Sequence, residues 1–302
     1  MSLAIVFGLL TTVCWCLSSL AFEAAGRRIG SLAVNVYRLV IAFLCLAAVG
    51  WAVRGQPLPM DAAPEHWRWL LASGFVGFFL GDLASFRALV LVGARVSAVV
   101  VCTAPIFTLV AELLMIPTSR LSVVEVIGMA VTLAGVAWVV SEKPTKAGAA
   151  DGVIAISSYG LILALLGAVC QGIGAVLTKK AFVQADYSAF STGQIRIMAA
   201  LPFFVAVVMV GGRGKQTVLA LKDLCGMGWT TLGAIGGPFL GVTFFTLSLQ
   251  HGSPTITQTL VSLVPILMIP LAIVFRRERV SLRSVIGTVI AVGGVFVLVN
   301  AS

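Results

Sequence analysis

Apolar residues run along this chain in long blocks, broken by short clusters of charge, glycine and proline. A helix rises about 1.5 Å per residue, so roughly 20 apolar residues cross a hydrocarbon core about 30 Å thick. Segments of that length fall at 3–22, 32–53, 67–90, 95–117, 122–141, 158–178, 189–210, 226–249, 254–275 and 282–300. The pattern predicts an all-α integral membrane protein of ten transmembrane helices. The connections are short, which makes sequence neighbours antiparallel neighbours. The longest are Arg54–His66, Glu142–Ser157 and Gly211–Asp223. The middle one, with Glu142, Lys143, Pro144, Gly148 and Gly152, reads as a linker, giving a division into 1–141, 142–157 and 158–302. Met1–Phe22 has no basic leader and no small-residue cleavage site before Glu23, so it reads as a first membrane helix rather than a signal peptide.

The two parts repeat each other. Phe79-Leu80-Gly81 recurs as Phe239-Leu240-Gly241 and Pro105 as Pro265, both 160 residues on. Ser122, Gly128 and Gly135 recur as Ser281, Gly287 and Gly294 at 159, Arg38 as Arg196 at 158, and Val13-Cys14 as Val169-Cys170 at 156. Five helices per half leave the second copy starting on the opposite side of the membrane, so the repeats are expected to be inverted. Inverted repeats are a recurring plan of secondary transporters, with a solute site near the midplane between them.

Composition strengthens this picture. Of 302 residues 60% are hydrophobic and 10% charged, with a mean hydropathy of +1.10, too few charges to cover a soluble surface. The net charge of +9 is dispersed between apolar runs, which points to interfacial anchors and not to nucleic acid. The six cysteines include no Cys-x-x-Cys pair, and five lie in apolar stretches as small hydrophobes. No phosphate-binding loop, His-Glu-x-x-His or metal-ligand set is present, so no cofactor and no metal are expected.

Helices three to five of each half, GDLASFRALVLVGARVSAVVVCTAPIFTLV with LSVVEVIGMAVTLAGVAWVV, and GGPFLGVTFFTLSLQHGSPTITQTLVSLVPILMIPLAIVFRRERVSLRSVIGTVIAVGGVFVLV, resemble the drug/metabolite transporter superfamily, EamA type. The earlier helices resemble it through Trp15, Arg38 and Arg196. The resemblance implies a multi-pass carrier in the cell membrane, exporting amino acids, metabolites or drugs, and chooses no substrate. It departs at one point: the family's acid before the last helix of a repeat matches Glu278, but its first-half counterpart is Ser119.

Ionisable residues inside membrane helices are costly and normally face a bundle interior or a wet cavity. Here they are Glu23, Arg38, Asp82, Arg87, Glu112 and Arg196, with Lys179 and Lys180 ending helix six. Glu23, Arg38 and Arg87 share one side, with Asp82 about a turn deeper; they form either a structural ion-pair cluster or a site for a charged solute group. Arg196 mirrors Arg38, with Asp186 or a solute carboxylate as its partner. Glu112 has no basic neighbour in sequence, so it is either a proton carrier of raised pKa or a paired group, with Arg120 to hand. Asp82 is the second proton-coupling candidate. Pro105, Pro265 and Pro270 are expected to kink helices four and nine and to free carbonyls toward a cavity, with Thr103, Thr108, Gln258, Thr259 and Ser262 as hydrogen-bonding neighbours. Trp15, Phe78, Phe79 and Phe86 line an apolar pocket or the core, and Gly74, Gly77, Gly81, Gly233, Gly237 and Gly241 read as close helix packing.

The expected activity is alternating access in which one repeat rocks against the other around a central cavity. The partners are a small-molecule solute and membrane lipid, and a homodimer is compatible with the sequence. A membrane-embedded enzyme and a non-transporting structural subunit are the rival classes. Basic residues concentrate after the odd helices, among them Arg27, Arg28, Arg213, Lys215 and Arg276, which places the termini outside by charge; the resemblance implies cytoplasmic termini.

Overall fold

The computed structural model describes residues 3–116, 121–140, 158–183, 186–267 and 282–301, and every regular element among them is helical. The linker 142–157, Ser119, Arg120, Pro270, Arg276 and Glu278 lie outside the described residues. In hydrocarbon each peptide group must find its partner within its own segment, and glycine and proline decide where those segments stop. α1 (Leu3–Ile29) and α2 (Ser31–Arg54) are parted by Gly30 alone, at φ 82°, a left-handed backbone that glycine adopts without strain. α3 (Pro64–Ser73) opens on a proline in the first turn, where no donor is needed. It runs through seven residues of π-helix, Gly74–Leu80, into α4 (Gly81–Val101). α5 (Ala104–Met115) and α6 (Val123–Val140) complete the first half. The second half holds α7 (Ser158–Ala181), α8 (Ala189–Val210), a short α9 (Gly214–Ala220) and α10 (Leu224–Ala234). A second π-helix, Ile235–Gly241, then leads into α11 (Val242–His251), followed by α12 (Pro254–Val261) and α13 (Leu282–Ala301).

Six helical runs are long and apolar enough to cross a membrane: Leu3–Ile29, Ser31–Arg54, Pro64–Ala88, Ser158–Ala181, Ala189–Val210 and Leu224–His251. Four shorter apolar helices, Ala104–Met115, Val123–Trp138, Pro254–Leu267 and Val285–Leu298, fall in the other four segments that hydropathy marks out. One boundary differs from expectation. The turn expected near 91–94 is absent, and α4 continues through it to Val101. Its second-half counterpart does stop, at Gly252 and Ser253 before Pro254. Proline needs the restart; Ala94, at the equivalent place, does not.

The glycines show how the halves are related. A Cβ on Gly128 would lie 3.1 Å from the Gly294 carbonyl oxygen, and one on Gly135 would lie 2.7 Å from that of Gly287. Because 128 corresponds to 287 and 135 to 294, the first contact is the image of the second. Rising numbers on α6 meet falling numbers on α13, so the helices are antiparallel and the two-fold relating them is perpendicular to both. For helices that cross a membrane, that axis lies in the membrane plane, and the repeats are inverted. Gly77 against Gly174 and Gly237 against Ser18 form a second such pair, at 3.4 Å and 3.1 Å from the added Cβ. Substituting Gly135 by valine is expected to wedge α6 from α13 and lower stability by about 1–3 kcal/mol. Gly293→Val, with nothing within 4 Å, is the neutral control. A thermal melt of the purified protein reads both.

The repeats are interleaved. α1 packs on α10, α11 and α12, and α7 packs on α3, α4 and α5, so the first helix of each half is lodged in the other half. Two mixed bundles result: α1, α2 and α10–α12 in one, α3–α5, α7 and α8 in the other. They meet mainly where α2 packs on α8 and α5 on α12. Phe79, Ile197 and Phe204 fill the α2–α8 contact, with Phe79 edge-on to Phe204 at 5.3 Å.

Candidate functional site

α2 and α8 each carry an arginine as their eighth residue, Arg38 and Arg196. The two helices start at opposite faces, so each arginine sits about 10 Å in from its own face. Arg38 Nη2 forms an ion pair with Asp82 Oδ2. The Arg38 guanidinium lies 5.5 Å from the Phe22 ring centre and 5.4 Å from that of Phe86. Asp82 lies one residue past the cap of the first π-helix's last turn, Gly81, whose N–H reaches back five residues to the Val76 carbonyl. Such a turn holds one residue more than an α-turn and so rotates the side chains beyond it about the helix axis. The Asp82 side chain keeps 31% of its surface, against 12% for Arg38, so the pair is not sealed in the core. Arg196 is 3% exposed, with its guanidinium 4.2 Å from the Phe78 ring centre. It forms no ion pair among the described residues, and its Nε and Nη1 have no hydrogen-bond partner. Phe78, under Arg196, and Asp82, on Arg38, are four residues apart on one helical run, so both arginines reach the same stretch of chain, the one that also carries the carboxylate.

A second polar cluster lies at the face where α1 begins. Glu112 on α5 is 1% exposed and, of its two expected readings, takes the paired one. Its Oε2 accepts from Ser253 Oγ (2.9 Å), the Thr255 N–H (2.9 Å) and Thr255 Oγ1 (2.6 Å), at the first turn of α12. Lys179 on α7 donates to the Leu249 and Gln250 carbonyls, at 2.7 and 3.2 Å, where α11 ends. An anion at a helix start and a cation at a helix end both oppose the helix dipole. Together they clasp the α11–α12 reversal from the other bundle. The network extends outward: Gln250 donates to the Tyr187 carbonyl (2.5 Å), the Tyr187 hydroxyl to Asp61 (3.0 Å), and Arg54 pairs with Asp61 at 2.7 Å. Burial pushes the Asp61 carboxyl up, but hydrogen bonds from Arg54 and Tyr187 outweigh it and hold it below the ordinary carboxylate value.

The two proline sites also match. The chain turns at Cys102 and Thr103, with Thr103 N donating to Val100 O and Ile106 N to Thr103 O, both at 3.0 Å. It turns again at Ser262 and Leu263, with Leu263 N on Leu260 O at 3.1 Å and Ile266 N on Leu263 O at 2.9 Å. Pro105 and Pro265 each come after a break and sit in the first turn of a restarted helix. They do not bend a continuous helix, because a first-turn proline displaces no bond. A sequence model of the EamA-like transporter family matches residues 2–141 and again 158–300. The chain belongs to the EamA-like transporter family. A solved structure titled only as a crystal structure of a protein has the same fold, with a TM-score of 0.76, 18% identity, 98% of this chain and 97% of that one covered. No curated protein matches the sequence.

As an EamA-like transporter the chain is a membrane protein of the drug/metabolite transporter type, and its remaining candidates fall outside the arginine centre. Glu23 pairs with Arg27 one turn along α1 at 2.6 Å, and Arg87 is exposed, so the expected cluster of Glu23, Arg38 and Arg87 reduces to Arg38 with Asp82. Arg196 does not pair with Asp186; Asp186 is exposed in the loop before α8, while Arg196 is buried two turns into that helix. Trp15 stacks on Phe245 at 5.5 Å and packs against Gly241. Gln258 is 1% exposed with its Oε1 unpartnered. The hydroxyls of Thr103, Thr108, Thr259 and Ser262 donate to carbonyls three or four residues back in their own chain segment, which uses the donors a solute would need. Lys179 as a helix cap, and Ser253 and Thr255 as partners of Glu112, carry no local sequence signal.

Proposed function

We propose that this EamA-like transporter is a secondary carrier of ten membrane helices in the cell membrane. It exports a small metabolite, amino acid or drug by alternating access, driven by an ion gradient or by exchange. The observation that carries the reading is the Arg38–Asp82 ion pair, a charged contact between the two mixed bundles beside a third charge, the buried Arg196. Charge is costly there unless a changing partner makes use of it. The interleaving alters the expected motion: the bodies that rock are the mixed bundles, and not one repeat against the other. In this reading the Glu112 and Lys179 clasp is the closed gate of one face, since its bonds run from one bundle to the other. At the opposite face the Arg28 to Asp223 bond (3.0 Å) stays within a single bundle, joining α1 to the start of α10.

Purified protein in proteoliposomes, given labelled amino acids, nucleosides, organic acids and cationic drugs, is expected to accumulate at least one of them under a pH gradient or by counterflow. Flux no greater than in protein-free vesicles for the whole panel, in both modes, would return the protein to the structural-subunit reading.

A further inference from the structure

Resting on the carrier reading above, we infer that the solute is a small organic monoanion whose carboxylate is held by Arg196, in the place of a carboxylate that the second half of the protein lacks. The repeat supplies the argument. Arg38 corresponds to Arg196, and Asp82, which pairs with Arg38, corresponds by the 160-residue offset to Val242. Val242 is 4% exposed and its Cγ1 lies 3.6 Å from where a Cβ on Gly193 would sit, within one turn of Arg196 on the same helix. The residue at the position of Asp82 therefore packs on the helix that carries Arg196, one turn from it, and has no charge to offer.

That exchange of an acid for a valine accounts for the state of Arg196. Two of its nitrogens lack partners among the described residues, in a site with almost no solvent contact, where an unmet N–H costs about 1–3 kcal/mol and more on a charged group. One face of its guanidinium is covered by Phe78, so a ligand meets it edge-on, in the plane where a carboxylate bonds. Charge selects the ligand's valence. Arg38 and Arg196 against Asp82 leave one positive charge, which a carboxylate neutralises and a dianionic phosphate overshoots. The Arg38–Asp82 pair joins α2 to α4 across the bundles, so by symmetry an anion on Arg196 sits between α8 and α11, where it ties the same bundles from the other side.

The test uses the full-length protein in nanodiscs and matched monoanionic probes: benzoate, 3-phenylpropionate, pyruvate and N-acetyl-L-leucine, each against the analogue with an amine or a phosphate in place of the carboxylate. At least one carboxylate is expected to bind, with its amine and phosphate analogues weaker by about tenfold or more. V242D installs the missing partner and is expected to cut carboxylate binding by about tenfold while leaving the melting temperature equal or higher; V242N, similar in size and uncharged, stays within about threefold of wild type. If V242D does not fold, R196Q and R196K carry the test, with loss expected for the first and partial retention for the second. Unchanged binding in V242D or R196Q, amines that bind as tightly as acids, or no bound carboxylate in the panel each overturn the inference. An amine moved into proteoliposomes while acids are not leaves the carrier standing and removes this assignment. A carboxylate bound in a V242D-sensitive way with no flux removes the carrier and leaves the site.

Discussion

Asp82→Asn is expected to bring gradient-driven flux down to the protein-free background while solute exchange in the absence of a gradient persists. Asparagine at this position imitates a permanently protonated Asp82: it keeps the shape and removes the charge that holds Arg38 across the bundles. A proton carrier must be able to release as well as accept, so net coupled transport stops. Exchange requires only that the loaded carrier reorient, and it continues. Breaking a fully buried pair by removing one partner costs roughly 3–5 kcal/mol; the 31% exposure of the Asp82 side chain places this case toward the lower end. Stability and coupling are separable by the double variant Arg38→Gln with Asp82→Asn. It removes the orphan Arg38 charge but leaves Arg196 without its counter-charge, and is expected to recover part of the lost stability without recovering gradient-driven flux. Gradient-driven flux in Asp82→Asn with the pH dependence of wild type would sink the proton-carrier role.

Much of the scaffold was legible in the chain, and the reason is the repeat. Glycines that touch backbone across a helix pair cannot drift in register, so Gly128, Gly135, Gly287 and Gly294 keep their offset and mark the contact they make. Pro105 and Pro265 marked the right places, though as breaks rather than bends. Other features leave no local trace. A helix that is apolar on all sides carries no sign of which neighbour it meets, so the lodging of α1 in the second half could not be read from α1. The π-helices before Asp82 and Val242 lie where Gly77 meets Gly174 and Gly237 meets Ser18, contacts between segments far apart in sequence. The arginine centre was half visible: Arg38 and Arg196 stood out as charges in apolar helices, while the asymmetry between Asp82 and Val242 gains meaning only once the halves are superposed on their axis.

Glu112→Gln is expected to lower thermal stability substantially and to leave the pH dependence of transport as in wild type, the opposite of Asp82→Asn. The Glu112 carboxylate meets three donors through one oxygen at the first turn of α12, and those partners lie 141 and 143 residues away in sequence, which is why the carboxylate reads as unpaired from the chain alone. Glutamine can present its carbonyl to the Thr255 N–H, but it brings no charge to the helix start; hydrogen bonds to a charged group are worth about 1.5–3 kcal/mol, and neutral ones about half that. Glu112→Ala removes the acceptor altogether and leaves the Thr255 N–H, Thr255 Oγ1 and Ser253 Oγ to seek new partners, so the larger drop in melting temperature belongs to it. Lys179→Met, which frees the Leu249 and Gln250 carbonyls at the end of α11, is expected to show less than additive loss when combined with Glu112→Ala, because both act on one reversal of the chain. In the carrier reading both variants also open the gated face more readily, and solute leak without a gradient rises. A changed pH profile in Glu112→Gln, with stability untouched, would return Glu112 to the proton path and remove it from the clasp.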